Sequence, residues 1–586
     1  MEIYNEAVDD LPILIEVMKT LNLPTLADEC LGTHGNQSDL SNGKRLMLLL
    51  CYILSEGNHC KSHVREWVDD HYHTLQSLLG ESFNSLEFDD STLSRLLERL
   101  SKVTAWESLE SKLWESALQW IEYPLEEQAL GGSGIQTHIQ LDTTTASGYH
   151  QIEPEGWMQY GYSKDHCAHL GQLKIMLANL NPQRLPIACD LYPGNHNDDE
   201  LYLPLVARTS QMVGHPGILY SGDCKLSSLR NRATIQHMGH CYFCPLQLNN
   251  IAAQTLLEQA MRQALSEPET LQHLEVDSQL LARGLEFSRT QELQTSELAL
   301  PWEERVFLIQ SQSFYQSERQ RLEKQHAQLF KRFQTLSSSL YSTAVQAQAA
   351  LQQKIAAWFE KQPLQPYLQF DLLVEEELKT YSRRETRKGQ PRQGSYTRTR
   401  YRAKIQNFHI QSQRLETLYH TLGWRLYVSN APKTRFSWQQ AYSQYRFESF
   451  GVEDQFRTLK GRSVGIRPLL VHNQTQIQGM THLLLLALKI SALMAAKVRT
   501  ALAQTTQVLS GIYPGQPKKQ TTSPRTATLL HYVCKQKLIL SQVTLSASQT
   551  WHLPTLNSTC NLILSCLGFD ASIYQQIPLF LNDRGG

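Results

Sequence analysis

Hydrophobic side chains recur at helical spacing through the first 128 residues. Leu11 to Leu21 carries them on one face and stops before Leu23-Pro24, and Asn42-Gly43-Lys44-Arg45 opens an apolar helix through Ile53. Asp90-Ser91-Thr92 predicts the cap of a helix over 92–100, and 104–121 presents Trp106, Leu109, Leu113, Trp114, Leu118 and Trp120. The period changes after Gly-Gly-Ser-Gly at 131–134. Ile135, Ile139 and Leu141 alternate with polar residues, which predicts a half-buried strand over 135–141 that ends on Asp142. Further strands are predicted at 173–180, 186–192, 218–221 and 241–246, with a turn at Pro193-Gly194-Asn195 and helices over 197–213 and 226–238. The resulting order is β-β-β-α-β-α-β, three successive strands followed by crossovers.

From 247 to 430 the pattern is interrupted. A helical pair, about 313–337 and 343–360, lies among strand-like pieces at 305–309, 367–373 and 424–428. Residues 436–462 read as one helix with Trp438, Ala441, Tyr442, Tyr445, Val452, Phe456 and Leu459 near one face. Glu453, Arg457 and Lys460 form a stripe on the other. The apolar run 482–496 is broken by Lys489, so a buried helix over 479–499 is expected rather than a membrane span.

The chain has 586 residues, too many for one core, so two to four domains are expected. Its formal net charge of −1 gives no global attraction to nucleic acid; any such argument must be local. Eleven scattered cysteines read as reduced thiols, and the N-terminus lacks the pattern of a signal peptide, so a cytoplasmic protein is expected. The local argument comes from 379–404. There Lys379, Arg383, Arg384, Arg387, Lys388, Arg392, Arg398, Arg400, Arg402 and Lys404 face a single acid, Glu385, with Tyr381, Tyr396 and Tyr401 interleaved. Clustered cations of this kind suit phosphate neutralisation better than a merely solvated face. His237, His240, Cys241 and Cys244 have zinc-like spacing, but Cys241, Phe243 and Pro245 alternate as a strand and no second pair follows, so zinc is not expected.

Asp142 at a strand exit is a possible ligand for Mg²⁺, which needs few protein carboxylates. Asp223 follows the strand at 218–221, and Glu453 lies on the late helix. In a ribonuclease H-like core the first and fourth strands are neighbours, so Asp142 and Asp223 are expected to face each other. Four stretches together resemble insertion-sequence transposases of the DDE class: Gln140-Leu-Asp-Thr-Thr-Thr145; Tyr160-Gly-Tyr-Ser-Lys-Asp-His166 with Pro193-Gly-Asn195; Leu219-Tyr-Ser-Gly-Asp-Cys-Lys-Leu226; and Val452-Glu-Asp-Gln-Phe-Arg-Thr-Leu-Lys-Gly461. The tail from Gly511 is also similar to that family's C-terminal segment.

The resemblance implies an α+β or α/β fold: a ribonuclease H-like mixed sheet interrupted by a long insertion, with a helical N-terminal domain. The expected division is 1–128 as a helical domain, either for docking or for binding DNA ends, 129–246 and 431–510 for the catalytic core, 247–430 for the insertion and 511–586 for the C-terminal segment. It implies Asp142, Asp223 and Glu453 as catalytic residues and metal ligands, holding two Mg²⁺ or Mn²⁺ ions. Lys460, Arg457, Arg446, Arg462, Lys164, Arg383, Arg384, Arg387, Lys388, Arg398, Arg400 and Arg402 are the candidate DNA-binding residues. Arg446 and Ser449 stand where one large branch has Tyr and Arg, so that branch's phosphate-contacting pair is not carried over. The implied partners are double-stranded DNA, as element ends and target, and a second copy of the chain, within the nucleoid of a prokaryotic cell. A metal-dependent nuclease that does not join strands, and a DNA-binding protein derived from a transposase, are the alternative readings.

Overall fold

A computed structural model of the chain describes residues 2–32, 40–122, 137–165, 167–294, 299–362, 365–382, 394–444, 450–545 and 548–584. Two units divide them. Unit 1 comprises Met1–Gln247, Ser288–Arg305 and Val428–Gly586; unit 2 comprises Leu248–Phe287 and Val306–Tyr427. The chain passes from one to the other four times, after Gln247 and within three strands, Gln279–Gln294, Ala299–Ser311 and Trp424–Ser429.

Unit 1 begins with helices whose apolar stripes the sequence predicts: α1 (Leu11–Thr20), α2 (Asn42–Glu56), α3 (Asp90–Leu100) and α4 (Val103–Trp120). The cap of α3 is Asp89 rather than the Asp90-Ser91-Thr92 run: its carboxylate accepts from the Thr92 amide at 2.8 Å, one residue before the expected start. The core strands follow as β1 (His138–Gly148), β2 (Gly171–Asn181) and β3 (Leu185–Pro193). Helix α5 (Tyr202–Val213), β4 (Leu219–Ser221), α6 (Leu229–His237) and β5 (Cys241–Pro245) complete them. Their order in the sheet is β3-β2-β1-β4-β5. β1, β2 and β3 pair antiparallel, whereas β1, β4 and β5 pair parallel. All of β2 is buried, as a strand covered on both faces must be.

β1 is longer than the alternation at 135–141 predicts. It pairs with β2 as far as Gly148, whereas its parallel partner β4 stops at Ser221. Asp142 therefore lies inside a strand, at the level where the neighbouring strand ends.

The helix expected over 436–462 comprises Trp438–Ser443 and α7 (Phe450–Lys460), with 445–449 outside the described residues. Gly451 lets α7 approach β2: a Cβ there would stand 2.6 Å from Asn181 Oδ1. The apolar run near 482–496 belongs to α8 (Gln474–Thr505), which is long and apolar enough to cross a membrane but is buried within unit 1. Lys489 lies inside it because Glu110 pairs with it at 2.9 Å and the Pro186 and Ile187 carbonyls accept from it. Glu2–Ala7 pairs antiparallel with Ile539–Leu545, which the sequence does not predict.

Unit 2 holds the expected helical pair, Gln312–Gln334 and Ala344–Lys361. Phe333, Leu351 and Ile355 pack with Leu368 and Ala403, which lie on two long strands, β6 (Leu368–Ser382) and β7 (Ser395–Ile410). These strands form an antiparallel ribbon.

Candidate active site

The parallel register sets two acids side by side. His138, Ile139 and Gln140 pair with Leu219, Tyr220 and Ser221; Asp142 and Asp223 each follow two residues beyond the last pair, and the charge of Asp223 bears on Asp142. Asp223 Oδ1 accepts from the Tyr202 hydroxyl at 2.6 Å and from the Lys225 amide at 2.8 Å. Asp142 Oδ1 accepts from the Thr143 amide at 2.7 Å and lies 3.3 Å from Lys164 Nζ. Lys164 also donates to the Thr143 carbonyl and hydroxyl, both at 2.6 Å.

Burial pushes the Asp142 carboxyl above the usual range. The ammonium of Lys164 opposes that shift and the neighbouring Asp223 adds to it. About a quarter of the Asp142 side chain, 27 %, still reaches solvent, so the push is partly screened. Burial, then Asp223 and Asp142 in turn, drive the Tyr202 hydroxyl well above its ordinary pKa, which keeps it a proton donor to Asp223.

A second group of charges adjoins the first. Asp165 holds Lys460 at 2.9 Å and Arg467 at 3.0 Å, and accepts from Thr145 Oγ1 at 3.2 Å. Burial lowers the pKa of Lys460 against the pull of Asp165, and the nearby cations Arg467 and Lys164 lower it further. Lys460 is therefore no free helix-end charge: it is docked on Asp165, beside Lys164. Tyr202, Asp165 and Arg467 were not identified as site residues by sequence. Asp165 had a signal in its place between Lys164 and His166; Tyr202 had none beyond lying on a helix.

Glu453 is an exposed residue of α7. Among the described residues no three His, Cys, Asp or Glu side chains are grouped so as to hold one metal ion. The expected three-carboxylate centre of Asp142, Asp223 and Glu453 therefore does not form in this structure. The Asp142–Asp223 pair does fit the chemistry of Mg²⁺, which takes one or two protein carboxylates and completes its shell with water and substrate phosphate oxygens. Cys241 and Cys244 are buried in β5, and His240 shares a 2.7 Å hydrogen bond with Ser210.

Arg457 and Arg462 are both exposed, Arg457 3.6 Å from Asp454. Arg446, Arg383, Arg384, Arg387, Lys388 and Arg392 lie outside the described residues. The rest of the basic run sits on the β6–β7 ribbon, where the register corrects the sequence count. Arg402 opposes Glu375 and Arg400 opposes Glu377. Arg402 pairs with Glu377 at 2.8 Å and Lys404 with Glu375 at 2.5 Å, so Arg402 is partly neutralised by acids just upstream of the run. Nearer the ribbon tip, Tyr381 and Tyr396 stack with centroids 5.6 Å apart. Arg398 lies over Tyr396, and Arg400 and Lys379 lie over Tyr381.

No family model and no curated protein matches the chain. Among solved structures, it is similar to a chain in the cryo-EM structure of the piggyBac transposase synaptic complex with hairpin DNA, at 10% identity and a TM-score of 0.25, over 53% of this chain and 60% of that one.

Proposed function

We propose that this chain is a transposase of the DDE class, which cleaves DNA at the ends of a mobile element and joins the freed 3′ ends to target DNA. The observation that carries the reading is the adjacency of Asp142 and Asp223 at the point where β4 ends, in a sheet ordered β3-β2-β1-β4-β5. That order is the one expected of a ribonuclease H-like core, and the four sequence stretches agree with it. Asp142 and Asp223 would hold Mg²⁺ or Mn²⁺; only the sequence motif proposes Glu453 as a third ligand. When bound, such ions supply Lewis acidity at a phosphodiester and make water a competent nucleophile.

The chain's own groups have distinct tasks. Tyr202 fixes the orientation of Asp223, and the Thr143 amide fixes that of Asp142. Lys164 balances the negative charge of the pair. Asp165 sets Lys460 and Arg467 next to Lys164, where they would meet the phosphate backbone of DNA. On this reading the partners are double-stranded DNA, as element ends and target, and a second copy of the chain.

The test is incubation of the purified chain with labelled element ends and a plasmid, with Mg²⁺ or with EDTA. Joined product that needs the cation supports the reading. Cleavage without joining would make the chain a nuclease, and binding alone a DNA-binding protein. Asp142→Asn is expected to abolish cleavage and joining while leaving DNA affinity nearly intact. Glu453→Gln tests the third ligand: full activity would remove Glu453 from the site.

A further inference from the structure

The face of α7 that carries Asp454 borders a cavity of about 300 Å³ in unit 1. Arg184, Arg457, Arg462, Arg499 and Arg525 line it, and Asp454 is the one acid among its described lining residues. Much of the remaining wall is made of small side chains such as Ala492 and Ala495, so the guanidinium groups set its chemistry. Asp454 is already engaged by Arg525, and Arg457 lies 3.6 Å from it. One carboxylate cannot neutralise five guanidinium groups. The cost of crowding them registers at Arg499, which donates to the Gln183 carbonyl at 2.7 Å. Its pKa is lowered to about 10, by burial first and then by the adjacent Arg184.

Arginine suits one ligand class above others. Its planar fork of donors meets the oxygens of a phosphate two at a time, and it stays charged when partly buried. We propose that this cavity is a binding site for a phosphate group, separate from the Asp142–Asp223 pair and not dependent on the transposase reading. The phosphate would be either a free anion or the 5′-terminal phosphate of a nucleic-acid strand. The cavity lies at the small end of ligand-pocket sizes, which suits a phosphate rather than a whole nucleotide. It adjoins α7 through Asp454, Gln455, Arg457 and Thr458, so an anion there would bear on the helix that carries Glu453 and Lys460.

The experiment titrates the full chain with inorganic phosphate at constant ionic strength, by calorimetry. A second arm titrates short duplexes with and without a 5′-phosphate. Arg184→Gln and Arg525→Gln are the variants, since both arginines are exposed and their loss is not expected to change the melting temperature without ligand. If the site takes free phosphate, wild type binds it and each variant binds about tenfold more weakly, a loss of one good charge-assisted contact. If it takes a strand end, the phosphorylated duplex binds more tightly than its unphosphorylated twin, and the variants erase the difference. Asp142→Asn, which tests the cleavage reading, is expected to leave both results unchanged. If wild type shows neither phosphate binding nor a preference for the phosphorylated duplex, or if the variants bind as wild type does, the proposal is overturned.

Discussion

Single buried acids in unit 1 shape its response to pH. Asp10 has no exposure, and its Oδ1 accepts from the Ser55 hydroxyl at 2.8 Å. Burial pushes its carboxyl up to about 6; Ser55 and Cys534 oppose the push, and Asp9 adds to it. A folded-state pKa above the unfolded value means that the folded state holds its proton more tightly. The stability this contributes is fully present below about pH 3.8 and is lost as pH rises through about 6. Asp10→Asn is therefore expected to flatten the fall in stability between pH 4 and 7, by about 3 kcal/mol at most. Asp190, also pushed up to about 6, slopes the same way in both proteins, so the difference between two denaturation series isolates Asp10. Parallel curves would mean that the Asp10 proton does not matter to folding. The same physics acts at Asp142, where Asp223 adds to the push, and there a bound cation would relieve it.

The ribbon of β6 and β7 is an element whose charge is not what a one-dimensional count implies. Glu375 and Glu377 take up Arg402 and Lys404, and leave Lys379, Arg398 and Arg400 stacked on tyrosines toward the tip. Replacing those three by Ala is expected to weaken DNA binding for all sequences alike and to flatten the slope of log affinity against log salt by about 2.7 at most. Arg402→Ala should change the slope little, because that cation is already paired. Equal effects from all four would make the ribbon an undifferentiated charged surface. The strand-like piece at 367–373 covers only the start of β6; β7 is not predicted, although Tyr396, Arg398 and Arg400 alternate with threonines at strand period. The core strands were legible because β2 and β3 carry apolar runs at 175–178 and 185–189 and β4 is followed by Gly222-Asp223. The expectation that Asp142 and Asp223 face each other rests on the neighbouring first and fourth strands of a ribonuclease H-like core. What sequence could not supply was contact between distant stretches: Tyr202 on Asp223, Asp165 holding Lys460 and Arg467, and the exposed position of Glu453. The length of β1 was also hidden, since Thr143, Thr144 and Thr145 are buried polar residues that period arguments take for a turn.

Across unit 1 the helix α8 joins what the sequence divides into separate domains. Gly479 lies against the Leu97 carbonyl so closely that a Cβ would stand 2.0 Å from it. His482 donates to the Leu100 carbonyl at 2.8 Å and stacks on Trp106 at 4.3 Å, its ring held neutral by a pKa lowered to about 4 through burial. About two turns further on, Lys489 pairs with Glu110 of α4 and donates to the first carbonyls of β3, while Glu110 accepts from the Cys189 amide. The N-terminal helices and the sheet thus share one apolar spine and one buried ion pair. Residues 1–122 alone would expose the stripes that α8 covers, at a cost of roughly 1.5–3 kcal/mol for each large side chain returned to water. We expect that fragment to lack a cooperative unfolding transition. In the full chain, Glu110→Gln should cost about 3–5 kcal/mol, because it leaves Lys489 buried beside a neutral group. That loss should appear equally in amide protection around Leu97 on α3 and around Ile175 on β2. Arg208, 2.9 Å from Glu110, also loses its partner there, so Glu110→Gln with Lys489→Met is expected to recover only part of the stability. A fragment that melts sharply by itself, or protection lost in α3 while β2 keeps it, would show that the helices fold apart from the sheet and that α8 merely lies between them.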